Sequence, residues 1–192
     1  SQVVLGQGPH YLFQGVPEEN PGAVEFFQKR GYQAAWSSVN MRLDLAGYDP
    51  GQVDIPPVPE GVAFRLLETG EEAALLAAVE DAQPAWLEFY QGCPSPILVA
   101  AEQGQLVGFA MVPPEGGRFL GDVEKPGSLE CVGVVKSHRN RGIGMGMVLA
   151  GIRWLKEQGC GSIELRYVAL EDWYHKVGFC TFQRMWMGEK SL

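Results

Sequence analysis

The stretch "VVKSHRNRGIGMG", Val134 to Gly146, puts two arginines and three glycines into the corner between an apolar strand and a helix. A helix N-terminus presents backbone N–H groups with no internal partner, together with the positive end of the helix dipole. Bare backbone at Gly142 and Gly144 lets a bound anion touch those groups directly. Arg139 and Arg141 add positive charge able to grip phosphate oxygens in a fork. The combination predicts a site for a phosphate or pyrophosphate. It is not a dinucleotide fingerprint, because the glycines read G-x-G-x-G and the six residues "KSHRNR" separate them from the strand. Glu164 stands at the distance of a ribose-binding acid but falls within a predicted strand, and we take it as a coincidence. A Walker loop is excluded by the absence of Gly-Lys-Ser/Thr.

A second pattern is a repeat. "EFFQKRGY" (Glu25 to Tyr32) copies "DWYHKVGF" (Asp172 to Phe179) as acid, aromatic, aromatic, polar, Lys, any residue, Gly, aromatic. A strand is expected after each.

Hydrophobic patterning supplies the elements that must position these residues. Asn20 as N-cap, Pro21 at the first helical position and Gly31 past the end frame a first helix. "AAWSSVNMRLDL" reads as a strand, and the proline-rich "GYDPGQVDIPPVPEG" as a stiff linker between units. "VAFRLLE" is the next strand, and Thr69 with Glu72 forms a capping box for the helix "GEEAALLAAVEDA". "AWLEFYQG" is a short helical piece, and "ILVAAEQGQLVGFAMV" a hairpin turning at Glu102-Gln103-Gly104. "GGRFLGDVEKPGS" is a loop and "LECVGVV" a buried strand. In the helix "GIGMGMVLAGIRWLKEQG", Ile143, Met147, Ala150, Trp154 and Leu155 recur at helical spacing. "SIELRYV", "LEDWYHKVG" and "CTFQRMWM" complete a strand, a helix and a last strand. Strand–helix–strand order implies a parallel pair and the hairpin implies antiparallel pairing, so the sheet is mixed.

The 192 residues, 46% of them apolar and 20% charged, describe a globular chain of one domain and part of a second. A net charge of −8 argues against a nucleic-acid partner. No apolar run is long enough for a membrane helix, and no secretion signal opens the chain. Cys93, Cys131, Cys160 and Cys180 show no C-x-x-C pair or metal-like clustering, so no metal is expected. A reduced, cytoplasmic setting is the expectation.

"VVKSHRNRGIG" resembles the acetyl-CoA-binding motif R/Q-x-x-G-x-G/A of the GCN5-related N-acetyltransferases, with Arg139, Gly142 and Gly144 at its fixed positions. "DWYHKVGF" is similar to that family's late "FYEKLGF" helix, and the resemblance covers roughly residues 60 to 192. It implies an α/β (α+β) fold whose mixed, mostly antiparallel sheet has a splayed parallel pair and is flanked by helices. It also implies direct transfer of an acetyl group from acetyl-CoA to a primary amine of a small molecule or peptide. Val132, Gly133 and Val134 would offer backbone groups to the pantetheine arm. Arg139, Asn140, Arg141, Gly142, Ile143 and Gly144 would offer backbone N–H groups to the pyrophosphate. Tyr174 matches the family's general acid, whereas His175 points elsewhere on the helix. Glu130 is the candidate base, placed by strand alternation on the face of Val132 and Val134. Cys131 should face the other way, as a core residue. Tyr167 replaces an asparagine common in the family seven residues before the tyrosine.

By the same resemblance, residues 1–48 look like the last strand, helix and strand of a second, truncated domain of this family. Phe27 stands where Tyr174 does, and no arginine–glycine corner precedes it, so this segment is non-catalytic. Residues 49–60 then form the linker and residues 61–192 the acetyltransferase domain. Such a half-sheet would cover its edges against the other domain's sheet or a second copy of the chain, favouring a homodimer. The acceptor pocket is expected between "AWLEFYQG" and the loop after Val112, with Glu88, Asp122 and Glu124 as its nearby acids. Two other readings fit the same residues: a non-catalytic acyl-CoA sensor, or an interaction module using the front segment.

Overall fold

The computed structural model describes residues 1–6, 15–116 and 126–192. In order the elements are β1 (Gln2–Val4), β2 (Val16–Pro17), α1 (Pro21–Gln28), β3 (Gln33–Asp44), β4 (Val62–Leu66), α2 (Glu72–Ala82) and α3 (Leu87–Tyr90). There follow β5 (Ile97–Glu102), β6 (Gln105–Met111), β7 (Gly127–Ser128), β8 (Glu130–Val134), α4 (Ile143–Glu157), β9 (Ser162–Val168), α5 (Glu171–His175) and β10 (Cys180–Ser191). They form two compact units, Leu43–Glu164 and Ser1–Arg42 with Leu165–Leu192. The division therefore runs inside β3 and β9, not at the proline-rich stretch. That stretch belongs to the larger unit and packs on α4, where a Cβ on Gly146 would sit 2.6 Å from Val58 Cγ2. Among the described residues no helix is long and apolar enough to cross a membrane.

The larger unit is built on an antiparallel sheet in the order β4-β5-β6-β8. Its hairpin turns as expected, with positive φ at Gln103 (51°) and Gly104 (80°), which suits the right-handed twist of the flanking strands. Val99 and Phe109 meet α2 and α3 through Leu75, Val79 and Tyr90. The paired neighbours Ala100 and Gly108 point the other way, and a Cβ on Gly108 would lie 2.6 Å from Met147 Sδ of α4. Helices thus cover both faces. α4 is more deeply buried than a single apolar stripe implies: Met145, Val148, Leu149 and Ile152 are buried as well as Ile143, Met147 and Leu155. The capping box does not form. Gly70 takes φ +93° and α2 starts at Glu72, so Thr69 lies outside the cap. Glu71 instead accepts the Glu68 N–H at 2.9 Å and a two-bond clamp from Arg65 at 2.7 and 2.8 Å. The hydrogen bonds from Arg65 hold its carboxyl down at about 2. β7 and β9 form the parallel pair, Gly127 opposite Ile163 and Ser128 opposite Glu164, while β8, among the described strands, pairs with β6. The parallel strands splay where β7 gives way to β8.

In the smaller unit, the long β10 pairs antiparallel with β3 from Cys180↔Arg42 to Glu189↔Gln33, and also with β1 and β2. Asn20 caps α1 by accepting the Ala23 N–H at 3.2 Å, and Gly31 closes it at φ +85°. The two copies of the repeat have the same architecture. Phe27 meets Phe26 and Tyr32 edge-on at 5.3 and 5.5 Å, and Tyr174 meets Trp173 and Phe179 edge-on at 4.7 and 5.9 Å. The closing bonds also match, Tyr32 N–H to Phe27 O at 3.2 Å and Phe179 N–H to Tyr174 O at 3.4 Å.

The strand register extends the match. Laying Tyr32 on Phe179 converts the pair Gln183↔Asn40 into Met187↔Trp36, and Thr181↔Met41 into Gly188↔Ala34, all of which are present. Phe182 and Ala35, the residues skipped by the ladder, also exchange. Met185↔Ser38 maps onto itself and marks an approximate twofold axis.

Ser38, on that axis, is 1% exposed and its hydroxyl has no hydrogen-bond partner among the described residues. A buried donor without a partner costs about 1–3 kcal/mol. Ser38→Ala is therefore expected to leave stability unchanged or raise it by up to about 1 kcal/mol in denaturant unfolding. A clear loss of stability would contradict this account of the axis.

Candidate active site

The corner forms as a run of unusual backbone angles. After β8 a short 3₁₀ turn, Lys136–His138, leads to Arg139, then to Asn140 at φ +60° and Gly142 at φ +78°. Gly142 is the N-cap of α4 and supplies no side-chain cap, so the first-turn N–H groups of this 15-residue helix have neither an intrahelical partner nor a capping side chain. Glycine is required there twice over. Its φ is left-handed, and a Cβ would fall 2.8 Å from Pro57 O and 2.9 Å from Pro56 O.

Both arginines make hydrogen bonds within the protein, which the sequence reading did not foresee. Arg139 Nε donates to Val134 O at 3.1 Å and its Nη2 to Ala82 O at 2.9 Å. Arg141 donates from Nη1 and Nη2 to the two carboxylate oxygens of Glu102, at 3.0 and 2.7 Å. The backbone of Arg141, Gly142, Ile143 and Gly144 forms the turn that opens α4.

β8 carries a bulge that the sequence did not reveal. Phe109 pairs with Gly133 but Met111 pairs with Glu130, so β8 has one residue more than β6 between these points. Cys131 takes φ +47° there, and its carbonyl accepts the Tyr90 hydroxyl at 2.8 Å. Directly opposed residues share a face, so Glu130 lies on the face of Met111 while Val134, opposite Gly108, lies on the other. The expected common face of Glu130, Val132 and Val134 is overturned, because the extra residue reverses the alternation. Cys131 packs into the cluster of Tyr90, Phe109 and Met111 as a core residue. Burial, with the nearby Glu130 charge, pushes its thiol up to about 12. Gly133 is fixed by contact, since a Cβ there would sit 2.3 Å from Phe109 Cζ. The ladder continues through Val135 N–H to Val107 O at 3.0 Å, which turns the N–H of Val134 to the outer edge of the sheet.

Half-buried Glu130 accepts a hydrogen bond from the buried Ser128 hydroxyl at 2.7 Å, at the point where the parallel strands part. Ser128 and Tyr90 are functional candidates that sequence reasoning missed; no local signal announced either. Tyr174 belongs to the smaller unit, half-buried on α5 between Trp173 and Phe179. His175 is exposed. Tyr167 takes φ +62°, donates its N–H to Asn40 Oδ1 at 3.4 Å and its hydroxyl to Gly6 O at 2.8 Å. Glu88 is exposed, and Asp122 and Glu124, with most of the loop after Val112, lie outside the described residues. A cavity of about 320 Å³ in the larger unit is lined by Leu66, Leu75, Leu76, Tyr90, Cys93 and Ile97.

The motif foreshadows a strand that runs through a glycine corner into a helix, and residues 64–179 match the model of the acetyltransferase (GNAT) family. The chain belongs to the GNAT family. It is 29% identical over 158 residues to a mycothiol acetyltransferase of Actinosynnema mirum, covering 74% of this chain and 51% of that protein. A mycothiol acetyltransferase of Amycolatopsis mediterranei is 25% identical over 189 residues, covering 84% and 59%. The chain thus spans about half the length of the curated relatives it matches.

Among solved structures, the glucosamine N-acetyltransferase region of a fungal multi-domain GH3 β-N-acetylglucosaminidase superposes with TM-score 0.80 at 24% identity, covering 98% of this chain and 25% of that one. A GNAT protein from Sphaerobacter thermophilus gives 0.71 at 21%, covering 91% and 57%. A tandem GNAT protein of the clavulanic acid pathway gives 0.65 at 18%, covering 98% and 62%. These show the GNAT fold.

Gly142→Ala places a side chain against the Pro56 and Pro57 carbonyls and imposes left-handed strain of about 1–2 kcal/mol. Coenzyme A affinity, measured calorimetrically, is expected to fall at least about tenfold, an equilibrium cost of about 1.4 kcal/mol. Undiminished binding would remove Gly142 from the site.

Proposed function

We propose that this chain is an acetyl-CoA-dependent N-acetyltransferase acting on a primary amine of a small molecule. The observation that carries the reading is the uncapped α4 start at Gly142, set beside the edge strand β8. Its N–H groups and helix dipole suit a diphosphate. The Val134 N–H on the outer edge of β8 suits an amide-bearing arm laid along the strand as an extra ladder partner. The donor set therefore fits coenzyme A.

Acetyl-CoA would supply the acyl group as a thioester. Glu130 takes a proton from the substrate ammonium, directly or through water, and so frees the nitrogen lone pair for attack on the thioester carbonyl. As the new C–N bond forms and the C–S bond breaks, the Tyr174 hydroxyl donates to the departing sulfur. Ser128 holds Glu130 by its 2.7 Å hydrogen bond, fixing the rotamer of the carboxylate. The acidic surface, with net charge −8, favours a cationic acceptor. The named activities of the relatives make amino sugars the first acceptors to try. A cytoplasmic setting and self-association through the front segment complete the proposal.

Turnover is tested by thiol release from acetyl-CoA across a panel of amino sugars, polyamines and amino acids. Tyr174→Phe is expected to lower kcat by about 100-fold or more while coenzyme A still binds. Glu130→Gln is expected to lose a similar factor, since its amide can no longer accept the proton. Tight coenzyme binding with no thiol release on any amine, and indifference to both substitutions, would favour a non-catalytic sensor.

A further inference from the structure

We infer that Glu102 is the positioning residue of the coenzyme corner, and that Arg141 is its strut, not a ligand of the phosphates. The inference rests on the proposed coenzyme site but concerns how that site is held. Glu102 ends β5, immediately before the tight hairpin turn, and pairs with Val62 on one side and Gln105 on the other. Its backbone is thus fixed from both neighbouring strands. Its carboxylate is only 14% exposed and serves three donors at once. Arg141 Nη2 reaches Oε1 at 2.7 Å and Nη1 reaches Oε2 at 3.0 Å, while His138 Nε2 stands 3.0 Å from Oε2. His138 is itself tied at Nδ1 to Ser137 Oγ at 2.8 Å.

These partners bracket the turn. His138 precedes Arg139 and Asn140, and Arg141 follows them, so one carboxylate fastens both ends of the segment that holds Asn140 at φ +60°. The opposite side is fastened to the end of α2: Asp81 Oδ2 accepts the Lys136 N–H at 2.7 Å, and Arg139 reaches Ala82 O. A turn pinned from two sides has its amides aimed before the anion arrives, so binding does not have to order it. The bidentate geometry commits the fork of Arg141 to Glu102 and offsets its charge, so an arriving phosphate meets an ion pair and not a free cation. The hydrogen bonds from Arg141 also hold the Glu102 carboxyl below the usual carboxylate range, so the clamp persists at neutral and mildly acidic pH.

The strut and ligand roles of Arg141 differ in the sign of one measurement. Coenzyme A is titrated calorimetrically into the full chain, its Glu102→Gln variant, its Arg141→Met variant, the double variant, and the charge swap Glu102→Arg with Arg141→Glu. As a strut, each single change weakens binding on the order of tenfold, and the double variant is no worse than the weaker single. The swap restores much of the loss, a rescue that a merely structural role for either residue alone would not give. Tighter binding in Glu102→Gln, or abolished binding in the swap, would show that a freed Arg141 grips phosphate and would overturn the inference. Unchanged binding in Glu102→Gln overturns it too, and leaves the acetyltransferase reading standing. A wild-type chain that takes up no coenzyme A overturns both. Thermal unfolding without ligand separates these outcomes from loss of fold, and the swap remains decisive if a single variant is unstable.

Discussion

A helix that starts with no side chain to cap it leaves its first N–H groups unsatisfied, and the larger unit is arranged around keeping that end open. A serine or aspartate at position 142 would be the local remedy, and Gly142 declines it. The helix must then be fixed by packing alone. α4 is buried around most of its circumference, and contacts at Gly108, Gly146 and Gly151 let it approach the sheet and its flanking residues more closely than any side chain would allow. Val58 and the Pro56 and Pro57 carbonyls lean on its first turn. A proline-rich segment suits that task, because its fixed φ angles let it lie across a helix with little further ordering.

The second constraint is the single extra residue in β8. Without it, Glu130 would share a face with Val134 and the sheet would alternate regularly. With it, Glu130 turns to the Met111 face, beside Ser128 and the place where the parallel strands part. A bulge leaves polar backbone without a ladder partner, and the Tyr90 hydroxyl takes up the freed Cys131 carbonyl. Tyr90 is nearly fully buried, and burial pushes its hydroxyl well above the usual tyrosine range, so it acts as a hydrogen-bond donor rather than an ionising group. The aromatic anchor and the strained cysteine thus form one device.

How far this was legible follows from the range of each signal. Elements with strong periodicity or punctuation were readable: α1 between Asn20 and Gly31, the hairpin at Gln103-Gly104, and β9 to the residue. The strand-to-helix corner was readable as a place, since its glycines and the junction are local signals. What its arginines do was not. Arg141 finds Glu102 across 39 positions of sequence and Arg139 finds Ala82 across 57, and no pattern within the motif distinguishes a strut from a ligand. The bulge escaped for a related reason: Cys131 at φ +47° is unfavourable for its residue type and is held there by tertiary contacts. The capping box failed because Thr69 and Glu72 had the right spacing, but Gly70 took a left-handed turn between them.

The smaller unit carries its own control for the proposed acid. Both copies of the repeat build the same edge-to-face trio of rings, close with the same backbone bond, and feed strands that exchange under one axis at Ser38 and Met185. In the front copy the central ring is phenylalanine, so the packing of this motif is complete without a hydroxyl. A half-buried tyrosine on a short helix would ordinarily be explained by its ring alone. Here the ring is accounted for twice over, and the one atom by which Tyr174 differs from Phe27 at that point is its phenolic oxygen. The ring packing is common to both copies, and the phenolic oxygen is the atom that Tyr174→Phe removes.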